Sequence, residues 1–300
     1  MESKFYEKKL GILGGGQLGK MLITECNKMD ISVSVLDPSN SSPCKNICEK
    51  FECGDFKDYD TVVKFGEKCD IITFEIEHVN VDALEFLEKN GKEVYPKSKT
   101  LKIIQDKNKQ KSFFKKISIP TANFKFFSKL SEFKSSINQN KINFPCIWKK
   151  TKFGYDGFGV KILNSVDDIG SLPETEMIIE DLIPFDKELS VIVSRNISGE
   201  IKCYDTVEME FNKNSNQVEF VISPARIKNK VNKYAKELAI KISESLDCIG
   251  LLAVEMFLYG DKILVNEIAP RPHNSGHFSI EACDSSQFQQ HLRAILNLKL

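Results

Sequence analysis

The stretch Leu251-Leu-Ala-Val-Glu-Met-Phe-Leu-Tyr-Gly-Asp-Lys-Ile-Leu-Val-Asn-Glu-Ile268 decides how the second half of the chain is read. Two strand-like runs, Leu251 to Tyr259 and Lys262 to Ile268, flank Gly260-Asp261, a strong hairpin signal. Hairpin pairing brings Glu255 and Glu267 directly or diagonally opposite each other. Two carboxylates set among apolar residues repel unless a cation lies between them. Magnesium suits such a place, because it takes hard oxygen ligands and keeps phosphate and water as well. Asn266 can add an amide oxygen. Solvent-facing acids are the competing reading, since strand alternation exposes some of these positions.

The hairpin runs on into Ala269-Pro-Arg-Pro-His-Asn-Ser-Gly-His277, which packs Arg271, His273, Asn274 and His277 into seven positions. The prolines and Gly276 favour a rigid loop. Anion binding by Arg271 and neutral donors fits a magnesium–phosphate site better than a transition metal held by imidazoles. His277 reads equally well as structural.

Upstream, Phe144-Pro-Cys-Ile-Trp-Lys149 and Val160 to Leu163 read as strands joined by a glycine-rich loop, Gly154-Tyr155-Asp156-Gly157-Phe158-Gly159. Such a loop offers backbone N–H groups to phosphate oxygens, and Lys149 adds a charge. No Gly-Lys-Ser/Thr ends it, and the protein-kinase catalytic motifs are absent. An ordinary glycine hairpin is the alternative. Met177 to Glu180, Leu189 to Arg195, Ile201 to Glu210 and Val218 to Ser223 read as further strands. A helix spans 101–117. Another carries Val231, Tyr234, Leu238, Ile242 and Leu246 on one apolar stripe, and Gln287 to Leu296 is an amphipathic helix.

The first hundred residues read differently. Leu10 to Leu13, Gly14-Gly-Gly-Gln-Leu-Gly19, a helix to about Lys28 and Ile31 to Leu36 make a βαβ unit. Gly14, Gly16 and Gly19 have dinucleotide-fingerprint spacing, with Asp37 ending the second strand. A dinucleotide, the phosphate of a small substrate and a purely structural turn all remain open for this loop. Asp70 to Glu75 is a strand whose end carries Glu75 and Glu77, where α/β folds bind ligands. Val81 to Lys89 is a helix.

Composition bounds the rest. The 300 residues carry 42 basic and 42 acidic side chains, which gives no global case for nucleic acid or anionic membranes. Apolar residues at 41% support real cores. No 18-residue apolar run exists, so no membrane span is expected, and no signal segment is visible at the start. Nine scattered cysteines suggest reduced thiols and a cytoplasmic protein. Cys44, Cys48 and Cys53 fit no common zinc spacing.

Taken together, Gly14 to Gly19, Thr73-Phe-Glu-Ile-Glu77, Gly154 to Gly159, Asn266 to His277 and Ser286 to Ile295 resemble the ATP-grasp superfamily. Within it, the resemblance is to the N5-carboxyaminoimidazole ribonucleotide synthases of purine biosynthesis, over almost the whole chain. It implies an α/β and α+β chain. A Rossmann-like parallel-sheet domain over 1–100 would precede an ATP-grasp region over 101–300, whose small subdomain covers about 115–185 and whose antiparallel subdomain covers about 186–300. It implies an ATP-dependent carbon–nitrogen ligase that joins bicarbonate to 5-aminoimidazole ribonucleotide through carboxyphosphate, with ATP and magnesium. Water must be kept from that labile intermediate.

By position, the resemblance gives the nucleotide Lys107, Lys149 and the loop Gly154, Tyr155, Asp156, Gly157, Phe158, Gly159 and Val160. It adds the hinge Glu180, Asp181, Leu182 and Ile183, together with Glu188, Phe211, Asn266 and Glu267. Glu255 and Glu267 would hold the metal. Arg271, His273 and Asn274 would orient bicarbonate, and Glu75 and Asp156 would face the ribonucleotide. Lys107 stands where arginine is usual, and Phe211 where many relatives have histidine; the first change loses a bidentate fork. Family members usually continue into a small C-terminal domain that contacts the substrate phosphate, so a tail beyond Leu300 is expected to matter for ribonucleotide binding. A homodimer and a functional link to carboxyaminoimidazole ribonucleotide mutase are also implied. The competing functions are another ATP-grasp enzyme, such as a formyl-phosphate-forming transformylase, and a nucleotide-binding module without catalysis.

Overall fold

A computed structural model of the chain describes residues 7–139, 141–152, 159–212 and 218–300. The N-terminal part contains β1 (Leu10–Leu13), α1 (Gln17–Lys28), β2 (Val33–Asp37), β3 (Lys50–Cys53), α2 (Tyr59–Gly66), β4 (Ile71–Phe74), α3 (Val81–Lys89) and β5 (Glu93–Val94). Its five strands are all parallel, in the order β3-β2-β1-β4-β5. Every residue of β1 and β4 is buried. Helices cover both faces of such a sheet, so its central strands are continuously apolar. The expected βαβ unit is present, with Leu10 opposite Val33. The second strand begins at Val33 rather than Ile31. The strands β3 and β5 carried too little apolar pattern to be anticipated.

The helix expected over 101–117 is two helices, α4 (Ser98–Ile104) and α5 (Lys107–Lys116). The break has a chemical cause. The Asp106 carboxylate accepts hydrogen bonds from the N–H groups of Asn108 (3.0 Å) and Lys109 (3.1 Å), donors that a new helix start leaves unpaired. Lys107 thereby enters the first turn of α5.

A small antiparallel sheet follows, built from β6 (Phe124–Phe127), β7 (Cys146–Lys150), β8 (Val160–Leu163) and β9 (Met177–Asp181) in the order β6-β9-β7-β8. The α6 helix (Leu130–Asn138) packs beside it through Leu130 and Phe133. The expected β7–β8 hairpin is formed, with Lys149 opposite Val160.

The largest sheet contains β10 (Lys187–Arg195), β11 (Ile201–Cys203), β12 (Val207–Phe211), β13 (Val218–Ile222), β14 (Gly250–Tyr259) and β15 (Lys262–Ala269). Its path is β13-β12-β10-β14-β15, with β11 beside β10. The single strand expected over Ile201 to Glu210 is therefore two, separated by Tyr204-Asp205-Thr206. The α7 helix (Asn229–Leu246) covers one face with Val231, Ala235, Leu238, Ala239, Ile242 and Leu246. Tyr234, placed on that stripe from spacing, is 41% exposed; Ala235 takes the core position one residue on. After the short α8 (Ser279–Ala282), α9 (Gln287–Ile295) inserts Phe288, Leu292 and Ile295 among Leu10, Ile12 and Leu22. The two halves of the molecule thus share a core.

Candidate active site

The β14–β15 register pairs Glu255 directly with Glu267, and the ladder shifts just after Glu255. Lys107, from the start of α5, reaches Glu267 Oε2 at 2.5 Å. His273 Nε2 lies 3.1 Å from Glu255 Oε1. The Lys107 ammonium holds Glu267 well below the usual carboxylate range, against the opposing effect of burial. Burial alone would lower the Lys107 pKa, but Glu267, Glu180 and Glu255 outweigh it and raise it. Glu188 stands apart. Burial, then the charges of Glu255 and Glu267, push its carboxyl up to about 7. Glu188 shares a sheet face with Glu255 and Glu267, and a bound cation would relieve the repulsion among the three.

Among the described residues, no three His, Cys, Asp or Glu side chains converge as a self-contained metal site. A paired glutamate with a neighbouring amide oxygen is nonetheless the donor set magnesium uses when phosphates complete its shell. The residues present fit that metal.

Behind the glutamates, Lys149 Nζ donates to Asn266 Oδ1 (3.0 Å) and lies 2.8 Å from Glu180 Oε2. The Glu180 side chain is therefore turned inward and paired, while Asp181 and Leu182 of the expected hinge are exposed and Ile183 is half-buried. Burial favours protonated Glu180, yet Lys149 and Lys111 together lower its pKa. Lys111 also pairs with Glu180, at 3.0 Å. Reading the sequence missed this lysine, because it lies among the many lysines of α5 and only the fold shows which of them turns inward.

Arg271 crosses to the N-terminal domain, its Nε 3.0 Å from Glu77 Oε1. Glu77 is thus ion-paired and mostly buried. The Gln105 side chain donates to the carbonyls of Glu77 (2.7 Å) and Val79 (2.9 Å), pinning that loop. Gln287 fixes the other side of the site, accepting from the His273 N–H (2.9 Å) and donating to its carbonyl (2.7 Å). His273 Nδ1 lies 2.8 Å from Ser275 Oγ. Asn274 is exposed and caps Ser275 N through its own Oδ1 at 2.9 Å. His277 stacks on Phe288 and contacts Gln287, so it packs the loop rather than entering the cavity. One cavity brings together Glu77, Lys107, Glu255, Glu267, Arg271 and His273, with His78, Gln110 and Thr151 also in its wall.

The first glycine loop is decided by Glu75. Its carboxylate accepts from the N–H groups of Gly16 (2.7 Å) and Gly19 (2.9 Å), the donors a dinucleotide pyrophosphate would use. Asp37 accepts from Gly15 N at 2.8 Å. Gly14 has φ +94°, and a Cβ there would meet Glu75 Cγ at 2.8 Å. The glycines let backbone close onto an internal carboxylate. Phe211 ends β12 at a register shift. Gly159 (φ +78°) and the exposed Val160 frame the second loop, whereas Gly154, Tyr155, Asp156, Gly157 and Phe158 lie outside the described residues.

Comparison with known proteins assigns both parts of the chain to known families. The ATP-grasp domain family matches residues 112–288, and the ribonucleotide synthetase preATP-grasp domain family matches residues 7–105. The chain is 36% identical to the N5-carboxyaminoimidazole ribonucleotide synthase of Bacillus subtilis, over 97% of its own length and 77% of that protein. It is 38% identical to the chloroplastic phosphoribosylaminoimidazole carboxylase of Vigna aconitifolia, over 98% of its own length but only 53% of the relative. The chain thus spans about half of the plant protein. The N5-carboxyaminoimidazole synthase of Aspergillus clavatus, crystallised with ADP and 5-aminoimidazole ribonucleotide, superposes with a TM-score of 0.90 at 36% identity. That match covers 99% of this chain and 78% of the other.

Proposed function

We propose, from the premise that this chain belongs to the ATP-grasp family and within it to the N5-carboxyaminoimidazole ribonucleotide synthases, that it is an ATP-dependent carbon–nitrogen ligase. Bicarbonate and 5-aminoimidazole ribonucleotide are its substrates, and N5-carboxyaminoimidazole ribonucleotide, ADP and phosphate its products. The observation that carries the reading is the cavity where the Glu255–Glu267 pair meets Lys107, Arg271 and His273.

The geometry suits the chemistry in stages. Bicarbonate is a poor electrophile until phosphorylation gives it a leaving group. Lys149, held between Glu180 and Asn266, presents positive charge toward the nucleotide phosphates, and Lys107 adds a second cation. Glu255 and Glu267, with Asn266, would hold magnesium, which when bound neutralises and aligns phosphoryl oxygens. Arg271, oriented by Glu77 and the Pro272 carbonyl, brings a guanidinium charge to the planar anion. His273 is fixed by Gln287 and Ser275 beside Glu255, within reach of the same anion. Glu75 retains lone pairs beyond those given to Gly16 and Gly19, and these accept from the aminoimidazole ribonucleotide. By the family resemblance, Asn274 would join Arg271 and His273 at bicarbonate, and Asp156 would face the ribonucleotide.

We further place the protein in the cytoplasm, as a homodimer functionally linked to carboxyaminoimidazole ribonucleotide mutase. All nine cysteines are free, which supports a reducing compartment. No described helix is long and apolar enough to cross a membrane. The dimer and the mutase link rest on family resemblance.

The test is a coupled assay of ADP release with each substrate omitted in turn. ADP formation should require ATP and magnesium and rise only when bicarbonate and aminoimidazole ribonucleotide are both present. Stimulation by formate in place of bicarbonate would transfer the chain to the formyl-phosphate chemistry of other ATP-grasp enzymes.

A further inference from the structure

Lys111 and Glu180 are both 3% exposed, yet they form an ion pair between elements far apart in sequence. Burying such a pair is costly, and a pair that contributes little net stability invites another explanation. Glu180 Oε1 is 3.0 Å from Lys111 Nζ, and its Oε2 is 2.8 Å from Lys149 Nζ. One carboxylate therefore serves two ammonium groups. Lys111 also donates to Thr121 Oγ1 at 2.8 Å, and that hydroxyl donates to the Val265 carbonyl at 2.6 Å. Val265 immediately precedes Asn266, which accepts from Lys149. The network closes on itself across α5, β7, β9 and β15.

The charges in this network do not cancel. Two ammonium groups against one carboxylate leave one net positive charge, and Lys149 is the member nearer the solvent, at 9% exposure against 3%. We infer that Lys111 is a positioning residue that releases Lys149 for phosphate binding by neutralising Glu180 from behind, without itself touching a ligand. This rests on the reading that Lys149 faces the nucleotide phosphates.

Charge and scaffolding have different consequences at Lys111. Without the Lys111 charge, Glu180 and Lys149 form a neutral pair. A nucleoside diphosphate then meets no net positive charge at this point, while an uncharged nucleoside has no phosphate to feel the difference. At an effective dielectric constant of about 20, one charge lost about 12 Å from a phosphate corresponds to about a tenfold change in affinity.

The experiment is calorimetric titration of the full chain with ADP and, separately, with adenosine, both at fixed magnesium. Lys111→Met should weaken ADP about tenfold and leave adenosine unchanged. Adding Glu180→Gln to that variant should recover most of the loss, because Lys149 regains its uncancelled charge. Lys111→Gln, which keeps a donor toward Glu180 and Thr121, should behave like the methionine variant and serves if that variant does not fold. Equal losses for ADP and adenosine, normal ADP binding by Lys111→Gln, or no recovery on adding Glu180→Gln would each overturn the inference. Lys149→Met is run beside them. If it leaves ADP affinity intact, the phosphate-facing reading of Lys149 fails; if it weakens ADP while the Lys111 variants do not, only the role of Lys111 fails.

Discussion

Glu267 has two partners to satisfy, since Lys107 lies 2.5 Å from it while the proposed function also gives it to magnesium. Lys107 fits that exchange: its flexible stem can swing from the carboxylate to a phosphate, where an arginine fork would be held more rigidly. Changing Glu267 to Gln removes the charge and keeps the shape. Phosphoryl transfer should fall by roughly a hundredfold or more, the scale of losing one preorganised electrostatic contact, with the fold retained though less stable, since Lys107 loses its partner. Rates within twofold of the unchanged protein at saturating magnesium would remove Glu267 from the metal site. The other residue-scale expectation concerns the first glycine loop. Because Glu75 already holds Gly16 and Gly19, titration with NAD or NADP should show no saturable binding. A micromolar dissociation constant for either would return the loop to the dinucleotide reading. The residue types at this site were legible because acids on a hairpin and an Arg-Pro-His loop carry chemistry in local order. The partnerships were not. Glu77 with Arg271 and Lys111 with Glu180 join residues 194 and 69 positions apart, and no local spacing encodes that.

At the scale of elements, strands and helices with strong apolar periods were readable, including β1, α1, the β14–β15 hairpin and α9. What escaped was governed by polar or tertiary terms. The strand β3 is half exposed, and β5 spans two residues, so neither has a pattern to detect. The division of the 101–117 helix turned on one carboxylate, Asp106, in a run where propensity alone favours continuing. That cap has a functional stake, since it sets Lys107 at the first turn of α5. Asp106→Ala should lower stability by about 1 kcal/mol, the usual value of an N-cap. It should also raise the KM for ATP more than it lowers kcat, since it loosens a binding cation and leaves the glutamates intact. A denaturation curve and a steady-state ATP titration check the two parts separately. An unchanged KM alongside the stability loss would confine the cap to folding.

At the scale of the whole molecule, the two halves are joined by α9, whose His291 is fully buried between them. The ring lies 2.8 Å through Nε2 from Thr73 Oγ1 in β4, and Nδ1 accepts from the Leu251 N–H of β14 at 3.3 Å. The accepting Nδ1 makes this a neutral imidazole with its proton on Nε2. Burial pushes its pKa down to about 4 from an ordinary 6.5. The unfolded chain therefore binds this proton more readily than the folded one. The associated stability is fully present above pH 6.5 and is lost as pH falls toward 4, where the total reaches roughly 3 kcal/mol. Since Phe288, Leu292 and Ile295 of the same helix complete the N-terminal core, acid should loosen both halves together. His291→Gln keeps an amide donor for Thr73 but cannot titrate. At pH 7.5 the variant should be less stable than the unchanged chain, through imperfect packing, and the gap should narrow by about 2 kcal/mol by pH 5. Urea midpoints at the two pH values, followed by tyrosine and tryptophan fluorescence and by circular dichroism, give the comparison. A gap that stays constant across that range would show that His291 is not the titrating link between the halves.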